Sequence, residues 1–289
     1  MQPGNEASTV EFIAVPVPGG DLAVEHVIAR TEPVLAIHGI SSQRKLWNWL
    51  RAQRPGLSLI APDLRGRGDS VGVTGPSSVS RHAADLVAVL DHLGLDAVPV
   101  CGMSMGGFVA VELATAYPDR VKSLVLVDGG FPMATPPGLT PEAVPAIFRD
   151  RLARLDRDWP TVADYARFFV ASTAPLLDPA DPLLLDYLAH DLDGQRVRLS
   201  ADALGEDATD IFFGSSRWEQ IQQPVRLLTA EWSTGRDTAP AYPPGAIEHF
   251  HNELKTLVTV ETLPGADHAA SIMSPAGARA TAALLSEVL

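Results

Sequence analysis

The residues that could do chemistry centre on a serine set among small neighbours, Cys101-Gly102-Met103-Ser104-Met105-Gly106-Gly107. An apolar run at 97–100 precedes it and a helical pattern at 108–117 follows. Gly-x-Ser-x-Gly between a strand and a helix predicts a nucleophile elbow, a turn so tight that only glycines fit two residues either side of the serine. Such a serine is a weak nucleophile until a base takes its proton, and the base needs a carboxylate to hold its tautomer. In elbows of this kind the acid and the histidine follow the serine in chain order.

Of the eight histidines, His268 is the one in a loop directly after the last predicted strand, in Pro264-Gly265-Ala266-Asp267-His268. From there a side chain can reach back over the sheet edge. His26, His38, His82 and His92 precede the serine, His190 sits in a helical stretch, and His249 and His251 lie on a late helix. Three carboxylates compete to orient the base. Asp128 ends the strand that follows the elbow helix; Asp237 and Glu231 lie in the loop after the next strand. A strand terminus suits a group that must hold an imidazole to within ~0.5 Å, which ranks Asp128 first, Asp237 second and Glu231 third. The oxyanion formed during acyl transfer needs two N–H donors, expected from Met105, just after the nucleophile, and from Ile40 in the loop after His38-Gly39. Gly39 leaves room for a carbonyl, and Trp47, Met103 and Phe131 are the expected pocket wall.

The elements that must position these groups alternate. Segments 10–17 and 22–29 predict a hairpin, and apolar strands follow at 34–37, 57–61, 97–100 and 123–127, separated by helical patterns. Regular alternation of strand and helix predicts a doubly wound, mostly parallel α/β sheet. The alternation stops after Phe131. A proline-rich entry (Pro132, Pro136, Pro137, Pro141, Pro145) leads into helical patterns at 145–154, 162–171, 182–190 and 201–213. Strands at 225–230 and 257–263 and a final helix resume the α/β order. The chain therefore divides into a core, residues 1–131 and 220–289, and an all-helical cap, residues 132–219.

Composition narrows the function classes. A net charge of −13 over 289 residues argues against nucleic acid or anionic membrane as a partner. A single cysteine excludes an internal disulfide and a multi-cysteine metal site. Residues 1–9 lack a basic start followed by an apolar run, and no apolar stretch is long enough to span a bilayer, so a cytoplasmic protein is expected. Arg67-Gly68-Asp69 and the pair Asp63 and Asp69 read as turn geometry with arginine pairing rather than as an adhesion motif or a metal site.

The ordered set of His38-Gly39-Ile40, Pro62-Asp63-Leu64-Arg65-Gly66-Arg67-Gly68-Asp69-Ser70, Gly102-Met103-Ser104-Met105-Gly106-Gly107, Asp128 after its strand, and Pro264 to His268 resembles the α/β-hydrolase superfamily. The resemblance covers the chain apart from the cap. It implies an eight-stranded, mostly parallel sheet and a serine-esterase-like activity on an ester, thioester or lactone, with no cofactor or metal expected. The cap and the apolar residues Met103, Met105, Trp47 and Phe131 suggest a small-molecule substrate with a moderately sized, mostly apolar acyl or alcohol group. Two positions depart from the pattern. Where relatives often carry an aspartate after the seventh strand, this chain has Ser233, in Ala230-Glu231-Trp232-Ser233; where many have a histidine before the nucleophile, it has Met103. Dehalogenases and epoxide hydrolases on this fold use an aspartate nucleophile, so Ser104 argues against both. Acyl transfer to peroxide, carbon–carbon bond hydrolysis and a slow-turnover ligand receptor are the alternative uses of the same triad.

Overall fold

The computed structural model describes residues 8–135 and 138–289; Pro136 and Pro137 of the proline-rich entry lie outside them. An N-terminal hairpin, β1 (Thr9–Val17) and β2 (Gly20–Ile28), leads to β3 (Val34–Ile37), α1 (Asn48–Gln53) and β4 (Leu59–Pro62). Next come α2 (Val79–His92), β5 (Val98–Met103), α3 (Met105–Ala116) and β6 (Val121–Val127). The insert contains α4 (Val144–Ile147), α5 (Arg149–Leu152), α6 (Val162–Thr173), α7 (Pro182–His190) and α8 (Ala201–Phe213). Among the described residues it also carries a non-helical element, so it is not all-helical: the ribbon of two-residue strands β7 (Leu192–Asp193) and β8 (Arg196–Val197), too short for a sequence pattern to reveal. The chain closes with β9 (Val225–Trp232), α9 (Pro244–Glu253), β10 (Leu257–Asp267) and α10 (Pro275–Ser286).

Eight strands form one sheet in the order β1-β2-β4-β3-β5-β6-β9-β10. β2 runs antiparallel to both its neighbours, and every other pairing is parallel. The central strands β3, β4 and β5 are buried along their whole length, as expected of parallel strands covered on both faces, which read as unbroken apolar runs rather than as alternation. One face packs on α2 and α3 through Leu35, Ile37, Leu86, Val109 and Leu113; the other packs on α1 and α10 through Ala36, Trp49, Leu50, Val125 and Leu284. Helix α3 is buried from Met105 to Val111 without a polar face, so it is held by the core on every side. Strand order places the C-terminal ends of β3, β5, β6 and β9 side by side, which gathers the loops after them at one sheet edge. Among the described residues no helix is long and apolar enough to cross a membrane.

Candidate active site

Strand β5 and helix α3 are separated by Ser104 alone. Its backbone has φ 56° and ψ −123°, a conformation a side-chain-bearing residue adopts only under constraint. The constraint is close packing. A Cβ on Gly102 would lie 2.2 Å from the Gly106 carbonyl oxygen, and one on Gly106 would lie 2.0 Å from that of Ile37. Any side chain at either position would force helix, strand and neighbouring strand apart.

His268 follows β10 and stands beside Asp128, with Nδ1 2.6 Å from Oδ2. The carboxylate can only accept, so Nδ1 carries the proton and Nε2 is left free to take one. The second carboxylate oxygen, Oδ1, accepts the Ala230 N–H at 3.0 Å, which fixes the rotation of Asp128. Asp128 is buried, with φ 45°. The other two candidates lie elsewhere. Glu231 is exposed and accepts the Gly265 N–H at 2.6 Å, while Asp237 is exposed with φ 62°. The loop carrying His268 is anchored by Asp267, fully buried, which accepts the N–H groups of Gly235 and Ala270 at 2.9 Å each. Its adjacency to His268 was the one sequence signal for that anchor.

Ser104, Asp128 and His268 border one cavity of about 310 Å³, together with Gly39, Ile40, Met103 and Met105. As the first residue of α3, Met105 has no carbonyl within the helix to accept its N–H. Leu46, Phe108 and Ala269 add apolar wall from the core, and Phe148, Phe169, Tyr187 and Phe212 from the insert. Met103, Met105, Met133 and Met273, the four methionines among the described residues, all border it. Among the described residues no lysine or arginine lines the cavity.

Two expected wall residues are corrected. Trp47 is buried in the sheet-side core that includes Trp49 and Leu50. On that helical turn, neighbouring side chains diverge, and Leu46 is the one that reaches the cavity. Phe131 is fully buried, stacked on Phe250 at 4.7 Å and edge-on to Trp218 at 5.6 Å. Those partners come from elements about a hundred residues later, so the sequence around Phe131 carried no sign of them.

The loop 39–43 is held at successive carbonyls. His38 Nε2 accepts the Leu64 N–H at 3.0 Å, so its Nδ1 is protonated and donates to the Gly39 carbonyl at 2.8 Å. Burial lowers the His38 pKa to about 4 against the opposing pull of Asp63, which keeps the ring neutral. Asp63, Asp69 and His190 approach one another closely enough to hold a metal ion. Arg44 and Arg198 already engage both carboxylates: Arg44 pairs with Asp63 and, at 2.6 Å, with Asp69, and Arg198 pairs with Asp69.

Residues 34–283 match the model of the alpha/beta hydrolase family. A putative 2-succinyl-6-hydroxy-2,4-cyclohexadiene-1-carboxylate synthase of Bacillus subtilis (strain 168) is 32% identical over 214 residues, covering 70% of this chain and 74% of that protein. Lipase LipV of Mycobacterium tuberculosis is 41% identical over 95 residues, a stretch of 33% of this chain and 36% of the lipase. The crystal structure of E-2-(acetamidomethylene)succinate hydrolase superposes with a TM-score of 0.75 at 21% identity, covering 96% of this chain and 99% of that one. The chain belongs to the alpha/beta hydrolase family.

Proposed function

We propose that this protein is a serine hydrolase that cleaves a neutral, mostly apolar carboxylic ester, thioester or lactone through an acyl-serine intermediate. The observation that carries the reading is the His268–Asp128 pair at 2.6 Å, opening with the strained Ser104 into one apolar cavity. Ser104 Oγ attacks the carbonyl carbon while His268 Nε2 takes its proton. The imidazolium that forms is stabilised by Asp128, and it returns the proton to the leaving alcohol or thiol. Water then enters, gives a proton to the same nitrogen, and releases the acid. In both steps the N–H groups of Met105 and Ile40 receive the oxyanion. The insert acts as a cap, contributing the aromatic side of the cavity and excluding bulk water.

Substrate class follows from the wall. A carboxylate moved into an apolar pocket without a paired cation is strongly disfavoured, and among the described residues no lysine or arginine lines this one. That supports a neutral substrate here, although the name of the Bacillus relative carries a carboxylate. Unbranched methionine side chains deform to fit unlike shapes, which supports tolerance of several acyl groups.

The test is hydrolysis of a panel of neutral esters by wild type and Ser104→Ala, with fluorophosphonate labelling of both. Loss of about 10⁶ in turnover is expected on removing such a nucleophile, together with loss of the label. Wild-type turnover in Ser104→Ala would overturn the reading. A wild-type protein that labels slowly and turns over no ester, thioester or lactone would point to the ligand-receptor alternative.

A further inference from the structure

The oxyanion loop is gripped by two buried arginines whose counter-ions come from the insert. Arg67 Nε donates to the Ile40 carbonyl at 2.9 Å, and Arg154 Nη2 donates to the Ser41 carbonyl at 2.6 Å. Arg67 pairs with Asp207 of α8 at 2.7 Å. Arg154, itself in the insert, pairs with Asp191 at 3.2 Å and donates to Tyr165 at 2.8 Å. Both arginines are at most 2% exposed.

The peptide plane makes these contacts matter. In a trans peptide the carbonyl and the following N–H are rigidly antiparallel. The His38 bond to the Gly39 carbonyl therefore aims the Ile40 N–H, and the Arg67 bond to the Ile40 carbonyl stops the next plane from turning about Ile40. Arg154 repeats the constraint one residue on. Burying two guanidiniums is costly unless carboxylates neutralise them, and α8 and the end of α7 supply those carboxylates.

We propose that Arg67 and Arg154 are positioning residues for the oxyanion donor Ile40, so that seating of the insert on the core sets the geometry of the oxyanion hole. This rests on the acyl-serine reading above. A donor displaced by a fraction of an ångström loses contact with the oxyanion but not with the ground-state ester, so the effect belongs on kcat rather than KM.

The experiment removes each buried pair together, in Arg154→Met/Asp191→Asn and Arg67→Met/Asp207→Asn, so that no lone charge is left behind. Arg154→Lys and Arg67→Lys keep the charge but lose the planar fork that spans carboxylate and carbonyl at once. Steady-state hydrolysis of a neutral ester and inhibition by a trifluoromethyl ketone, which forms a tetrahedral adduct on Ser104, are measured for all four. The expected result is a fall in kcat of about 10- to 100-fold with KM within about threefold, and a matching weakening of the ketone. Folded variants with unchanged kcat, or with KM alone raised, would overturn the proposal. If the double variants do not fold, the lysine variants decide by the same criteria. Ser104→Ala separates the two levels: if it stays active the acyl-serine reading fails, and if it is dead while the arginine variants keep the wild-type kcat, only the positioning role fails.

Discussion

Replacing Asp128 by asparagine should nearly abolish turnover while leaving the fold intact. Oδ1 of Asp128 accepts the Ala230 N–H at 3.0 Å, and Oδ2 accepts His268 Nδ1–H at 2.6 Å. An asparagine must keep its oxygen on Ala230, because its NH₂ group there would meet another donor. The NH₂ group is then forced towards His268, where Nδ1 can only accept from it. The imidazole proton moves to Nε2, the nitrogen that takes the Ser104 proton in the proposed mechanism, and the base of that mechanism is lost. A wrong tautomer of this kind costs about 10⁴ in kcat, or about 5.5 kcal/mol of transition-state stabilisation. The assay is p-nitrophenyl ester hydrolysis beside Asp237→Asn and Glu231→Gln, with near-ultraviolet circular dichroism to check the fold. Both comparison residues are exposed and make no contact with His268 among the described hydrogen bonds, so their kcat/KM should stay within about twofold of wild type. A folded Asp128→Asn protein within tenfold of wild type, with the large loss appearing in Asp237→Asn or Glu231→Gln, would refute the reasoning.

Other consequences are open to simpler measurements. Gly106→Ala places a Cβ 2.0 Å from the Ile37 carbonyl oxygen, a clash of backbone with backbone that no rotamer relieves; urea denaturation should show a loss of about 3 kcal/mol, and wild-type stability would count against the packing argument. His38, with a folded pKa of about 4, binds fewer protons folded than unfolded. Its contribution is therefore complete above the unfolded value near 6.5 and is lost as pH falls through about 4, to a total of about 3 kcal/mol. His38→Asn should flatten that part of the stability–pH curve, and an unchanged slope would remove His38 as its source. Finally, a monosuccinyl ester should be hydrolysed at least about 10²-fold less efficiently than its neutral isostere, since no lysine or arginine among the described residues lines the cavity; equal kcat/KM would exclude the neutral-substrate reading.

Much of the molecule was legible before any coordinates. The boundaries of α7 and α8 coincide with their apolar patterns, and those of β3 with its four-residue apolar run. Local backbone preference and periodicity decide such elements, and both are written in adjacent residues. Ser104 was legible because the elbow is a local turn, and Gly102 and Gly106 record its crowding. Side-chain direction was less accessible. Trp47 and Phe131 have the chemistry of a pocket wall, but each turned towards partners that arrive from elsewhere in the chain. Arg67 looked like part of a turn, and its grip on the Ile40 carbonyl, 27 residues earlier, depends on how two loops meet over the sheet edge.

The sequence by itself determined an alternating α/β core with a helical insert, a serine at a strained turn and a histidine after the last strand. These are statements about neighbours along the chain, where steric limits and hydrophobic periodicity act directly. Only the tertiary structure decided which carboxylate stands against His268. Asp128, Asp237 and Glu231 all offer a carboxylate, and the contact that separates them joins positions 140 residues apart. That contact exists because β6, β9 and β10 lie side by side in the sheet and bring their ends to one edge, an order that strand sequences alone do not encode.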